Sequence, residues 1–137
     1  LDALTFMLGP VQTSTAYRSI LDPGSRVEQV VTLAIWFRSG AQAVATGDFC
    51  SGRKSDSFII HGTEGSIILV NFDSRQGLLR SGDREERFSF PAPEGTHLGQ
   101  IKHIEEVLLD GAKPESTGED GLITEKLLDS GVRAGGL

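Results

Sequence analysis

The sequence predicts an α+β domain with an antiparallel or mixed sheet, and three observations carry that reading. A short helical pattern opens the chain, a run of β-rich segments follows, and two helical patterns close it, so strands are grouped apart from helices. Glycine and proline punctuate the middle of the chain at turn spacing. The glycine-rich strand-to-helix turn of a doubly wound nucleotide fold is missing. At 137 residues the chain has the length of one ordinary domain, 1–137, with a single compact core expected.

Leu1, Leu4 and Leu8 recur at helical spacing, and Gly9-Pro10 ends that helix. Its N-terminal portion is expected to lie upstream of Leu1. The β-branched and aromatic content of Val11 to Tyr17 predicts a first strand, and Asp22-Pro23-Gly24 a turn. In the next strand, Val27 to Phe37, one face carries Val27, Val31, Leu33, Ile35 and Phe37, and the other Val30, Ala34 and Trp36. Apolar residues on both faces call for cover on both. Helices on one side and a partner subunit on the other would supply it, and ordinary core burial would do so equally well.

Ser39-Gly40-Ala41 turns the chain into a weaker strand, Gln42 to Cys50, and a polar loop spans Ser51 to Asp56. Phe58 to His61 and Ser66 to Val70 form a hairpin across Gly62-Thr63-Glu64-Gly65. A second hairpin joins Gly77–Arg80 to Arg84–Phe90, and Pro91-Ala92-Pro93 ends the sheet because proline donates no ladder bond. The period then becomes helical: Thr96 is placed to cap, Leu98, Ile101, Ile104 and Leu108 stripe one side, and Lys102 and Glu106 pair at i,i+4 on the wet side. After a polar loop, Thr117 is the N-cap of a last helix, with Glu119 and Asp120 on the positive end of its dipole and Leu122 to Leu128 continuing it.

Composition excludes several function classes. The net charge is −6 and the 13 Lys and Arg are scattered, so the basic stripe of a nucleic-acid binder is absent. Cys50, the one cysteine, cannot form an intramolecular disulfide, and no apolar run approaches the roughly 18 residues a bilayer span requires. Neither a membrane nor nucleic acid is expected as a partner, and a cytoplasmic location is. His61, His97 and His103 lack metal-ligand spacing. Gly62-Thr63-Glu64-Gly65 and Gly118-Glu119-Asp120-Gly121 each place a carboxylate where a phosphate would sit, so both read as turn and cap chemistry. No Ser or Cys is singled out as a nucleophile. Arg53 and Lys54 could meet an anionic or polyhydroxyl ligand, although loop cations are more often simply hydrated. His97, at a helix start, could contact a ligand or carry a proton, or be merely exposed.

Five segments together carry a family resemblance. Ser57-Phe58-Ile59-Ile60-His61-Gly62-Thr63-Glu64-Gly65-Ser66-Ile67 resembles the "s-l-x-I-x-G-t-x-G-s-i" segment in the C-terminal domain of the Gfo/Idh/MocA oxidoreductases. Leu1-Asp2-Ala3-Leu4 to Gly9-Pro10 resembles that family's "x-D-x-l-x-x-l-l-G-x" helix, and Phe37 to Ala41 its "f-x-s-G-a" turn. His97 to Gly111 resembles "y-x-x-q-i-x-h-F-i-e-a-i-x-x-G", and Ser116 to Gly121 "s-g-e-d-g". The order matches along essentially the whole chain. Three departures stand out: His97 replaces an aromatic, Ile104 replaces Phe, and Gly131 is expected to interrupt the last helix.

The resemblance implies an open, mostly antiparallel sheet with helices packed on one face and the other face pairing subunits in a homo-oligomer. It implies that a separate Rossmann domain binds NAD or NADP, with none bound by this chain, and that hydride passes to or from a hydroxyl-bearing carbon of a sugar, cyclitol or related compound. The family's catalytic Glu-Lys-Pro lysine has no match here, since Lys113-Pro114 follows Ala112, and of the "D-x-x-x-H-x-x-D" stretch only the last Asp is matched, by Asp2. This chain would then be the substrate-side and oligomerisation half of an oxidoreductase, inert alone. Tyr17, Arg53, Lys54, His97 and Gln100 are the residues expected near substrate, by position in the family as much as by chemistry. The rival reading is a free-standing sheet module that dimerises or binds a ligand without turnover.

Overall fold

The structure is a computed structural model that describes residues 1–133 apart from 53, 72, 73, 93, 94 and 96, with side chains described through Asp129. Three helices and seven strands occur among the described residues: α1 (Asp2–Leu8), β1 (Val11–Ser19), β2 (Val30–Phe37), β3 (Gln42–Asp48), β4 (Phe58–His61), β5 (Ser66–Leu69), β6 (Gln76–Ser81), β7 (Arg84–Ser89), α2 (Leu98–Leu109) and α3 (Gly118–Arg133). The strands form two antiparallel sheets, β1-β2-β3 and β4-β5-β6-β7. This is the α+β class that grouped strands predict, with the strands divided between two sheets. The chain forms two compact units, Leu1–Gly52 with Glu115–Leu137, and Arg53–Pro114.

In the first unit, alternation along β2 decides what is buried. Leu33, Ile35 and Phe37 point to one face, and Ile35 and Phe37 are each only 1% exposed. Ala16 of β1 and Leu127 of α3 complete the buried cluster, with Leu1, Leu4 and Leu8 of α1 packed against it. Full burial of an aliphatic or aromatic side chain contributes roughly 1.5–3 kcal/mol, so the β2 residues are the main apolar anchor of this unit. The helical cover on that face is thus the one the Leu1/Leu4/Leu8 spacing predicts. The peptide of Arg38 donates to Pro10 O at 2.9 Å and Ser39 Oγ to Leu8 O at 2.9 Å, which ties the end of α1 to the β2–β3 turn.

Several boundaries move for reasons that side chains supply. Val27 to Gln29 lie outside β2, because Gln29 Oε1 accepts the N–H groups of Leu21 and Asp22 (2.7 and 3.0 Å) and Ser25 Oγ accepts that of Val27, closing the segment as a tied loop. β3 stops at Asp48 instead of Cys50, because the Asp48 carboxylate accepts the N–H groups of Cys50 and Ser51. α3 runs from Gly118 to Arg133, past both ends of the predicted core, so Gly131 does not interrupt it.

The second unit is a four-stranded meander followed by α2. The β4–β5 connection closes with Gly62 N–H donating to Gly65 O at 2.8 Å, as the bracketing glycines predict. A Cβ on Gly65 would stand 2.0 Å from Arg80 O, and one on Gly77 would stand 2.3 Å from the Phe88 ring. Both sites demand a missing side chain. Thr96, the expected cap of α2, lies outside the described residues; the N-cap position is held by His97 at φ 65°, without a side-chain capping bond. Glu106 lies against its i,i+3 neighbour His103, with Oε2 3.6 Å from Nδ1, instead of pairing with Lys102 as expected. The expected apolar stripe is present on α2 by position, yet Ile101, Ile104 and Leu108 are exposed.

Candidate functional site

The face of the first sheet opposite its buried cluster is a regular surface built from all three strands. Register places Thr13, Thr15, Tyr17 and Ser19 of β1 beside Trp36, Ala34, Thr32 and Val30 of β2, and these beside Gln42, Val44, Thr46 and Asp48 of β3. Only Asp48, at one end, is charged. Tyr17 is 76% exposed and Val44 73%, while Thr32 and Thr46 join their hydroxyls across the strands at 3.3 Å. Short uncharged side chains with two aromatics make a surface that loses little on desolvation. Val30, Ala34 and Trp36 of this face are legible in the sequence, whereas Thr13, Thr15, Val44 and Thr46 carry no apolar pattern that singles them out. The alternation of small and polar residues through Gln42–Asp48 was the signal for the last two.

Asp48 terminates the face. The Ser51 hydroxyl, hydrogen-bonded to its carboxylate, holds it below the usual carboxylate range, with the Cys50 N–H assisting. Such a carboxylate is committed to ionisation, which suits a loop cap and not a proton carrier at neutral pH. Cys50 next to it is exposed and unpaired with any other cysteine.

A cleft of about 190 Å³ lies between α1 and the start of α3, with Phe6, Pro10 and Ile123 as apolar wall and Asp2, Glu115 and Asp120 as carboxylates. Asp120 is engaged there: its Oδ2 accepts both the N–H and the hydroxyl of Thr117 at 2.8 Å, and its own N–H reaches back to Thr117 Oγ1 at 3.4 Å. This reciprocal box is the helix start that Thr117 predicts. Asp2 occupies the first turn of α1, where its negative charge complements the positive end of the helix dipole. Thr5 and Ser116 add hydroxyls, and no cationic side chain is among the lining residues.

The residues expected near substrate are distributed over both units. Tyr17 stands on the open face of the first unit, paired in register with Thr32. Lys54, His97 and Gln100 belong to the second unit and are exposed, His97 and Gln100 within the first turn of the same helix. Arg53 lies outside the described residues. His97 is the only non-glycine with positive φ among the described residues, and its carbonyl accepts the Ile101 N–H at 2.9 Å. A left-handed backbone at a residue with a Cβ costs about 1–2 kcal/mol, so the conformation is imposed by its surroundings.

Gly62 to Gly65 is a strand-to-strand turn, and the Gly118–Gly121 stretch opens a helix at whose start the Asp120 carboxylate accepts the N–H and hydroxyl of Thr117. The first has no helix N-terminus to offer a pyrophosphate, and the second carries the Asp120 carboxylate where a phosphate would sit. No group of three or more His, Cys, Asp or Glu able to hold a metal ion occurs among the described residues, and none of their helices is long and apolar enough to cross a membrane.

Comparison with known proteins adds the family dimension. Residues 1–68 match the family model described as the GFO/IDH/MocA C-terminal domain. Among solved structures, the chain is similar to biliverdin reductase from Synechocystis sp. PCC 6803, determined with biliverdin and NADP+ (20% identity, TM-score 0.80, covering 99% of this chain and 44% of that one). It is similar to aldose-aldose oxidoreductase from Caulobacter crescentus, complexed with glycerol (22% identity, TM-score 0.80, 97% and 42%). A third likeness is an oxidoreductase from Agrobacterium radiobacter in complex with NAD+, L-tartaric acid and magnesium (20% identity, TM-score 0.74, 96% and 44%). The chain therefore spans less than half the length of the structures it matches. No curated protein matches the sequence.

Proposed function

The chain belongs to the Gfo/Idh/MocA C-terminal domain family through residues 1–68, and from that premise we propose that it is the substrate-side and assembly domain of an NAD(P)-dependent oxidoreductase. One observation carries the proposal: the fold of nearly this whole chain recurs as 42–44% of oxidoreductases described with NADP+, NAD+ or a small polyol. A nicotinamide supplies hydride chemistry when bound. The glycine stretches of this chain do not suit it, so in this reading the cofactor and the catalytic lysine reside in a separate Rossmann domain.

What this chain contributes is then shape and polarity. Its substrate is a sugar, cyclitol or related hydroxyl compound, and Lys54, His97, Gln100, Arg53 and Tyr17 are the side chains offered to it. His97 is the best supported of these, since its left-handed backbone costs free energy that a positioning role would explain. Tyr17 has a competing role, because it stands on the uncharged sheet face that we assign to pairing with a second copy. Location in the cytoplasm fits an enzyme of this kind.

The test is steady-state kinetics on a two-domain protein that contains this sequence, across a panel of sugars and cyclitols. Alanine at His97, Lys54 or Gln100 is expected to raise KM at least threefold, about 0.7 kcal/mol of lost binding, with folding unchanged. Unchanged KM and kcat would remove that residue from the pocket. A free-standing module would show no turnover with any member of the panel.

A further inference from the structure

No further inference is drawn: the strongest candidate, the apolar stripe on α2 where Ile101, Ile104 and Leu108 are 59%, 50% and 75% exposed, carries nothing because nothing in the structure shows what covers it.

Discussion

Single residues hold the second unit to its register. Gly65 sits where the β5–β6 pairing brings Arg80 O to within 2.0 Å of any added Cβ, and backbone cannot yield as a flexible side chain would. Gly65→Ala is therefore expected to destabilise by roughly 2–3 kcal/mol in chemical denaturation, as strained overpacking does. A loss below about 0.5 kcal/mol, the range of neutral surface changes, would mean that the close approach is not real. The bracketing of the turn by Gly62 and Gly65 was legible from spacing. The reason for Gly65 was not, since it depends on β6, eleven and more residues away in sequence. His97 was legible as a helix-start residue, but its positive φ was hidden, because Thr96 offered better capping chemistry and the modest enrichment of histidine in the left-handed region does not single out one position.

At the scale of elements, the helices and hairpins followed their local signals, while boundaries followed side-chain bonds that no periodicity encodes. The Gln29 clamp on Leu21 and Asp22 shortened β2, and the Asp48 carboxylate ended β3. By contrast, Thr117 was readable as a cap because Thr-x-x-Asp spacing permits the reciprocal bonds seen with Asp120. Thr117→Val removes the hydroxyl at nearly constant volume and is expected to cost about 1 kcal/mol, with Thr117→Ser retaining most of it. Denaturation midpoints of the two variants decide the matter, and equal losses in both would assign the effect to packing and not to the cap.

For the whole molecule, the two-sided apolar character of β2 resolves into a covered face and an open one. The open face is uncharged from Thr13 to Thr46 across three strands, in a chain whose net charge is −6. Self-pairing through it would avoid the repulsion that the rest of the surface would impose. Val44→Asp would oppose like charges or bury one unpaired in such a pair, so sedimentation is expected to show association weakened at least tenfold, about 1.4 kcal/mol, with an unchanged melting temperature. Wild-type protein that stays monomeric at high concentration, or a Val44→Asp variant that pairs as before, would exclude this face. The division of the strands into two sheets was not legible, because alternation specifies which side of a strand is buried and not which strand it pairs with.

The most direct measurement is cofactor titration, following nicotinamide fluorescence, of this chain alone and of any longer gene product that contains it. The account predicts saturable NADH or NADPH binding by the longer protein and none by the 137 residues alone. Binding by this chain alone, or a gene product that holds no nicotinamide-binding partner domain, would contradict it.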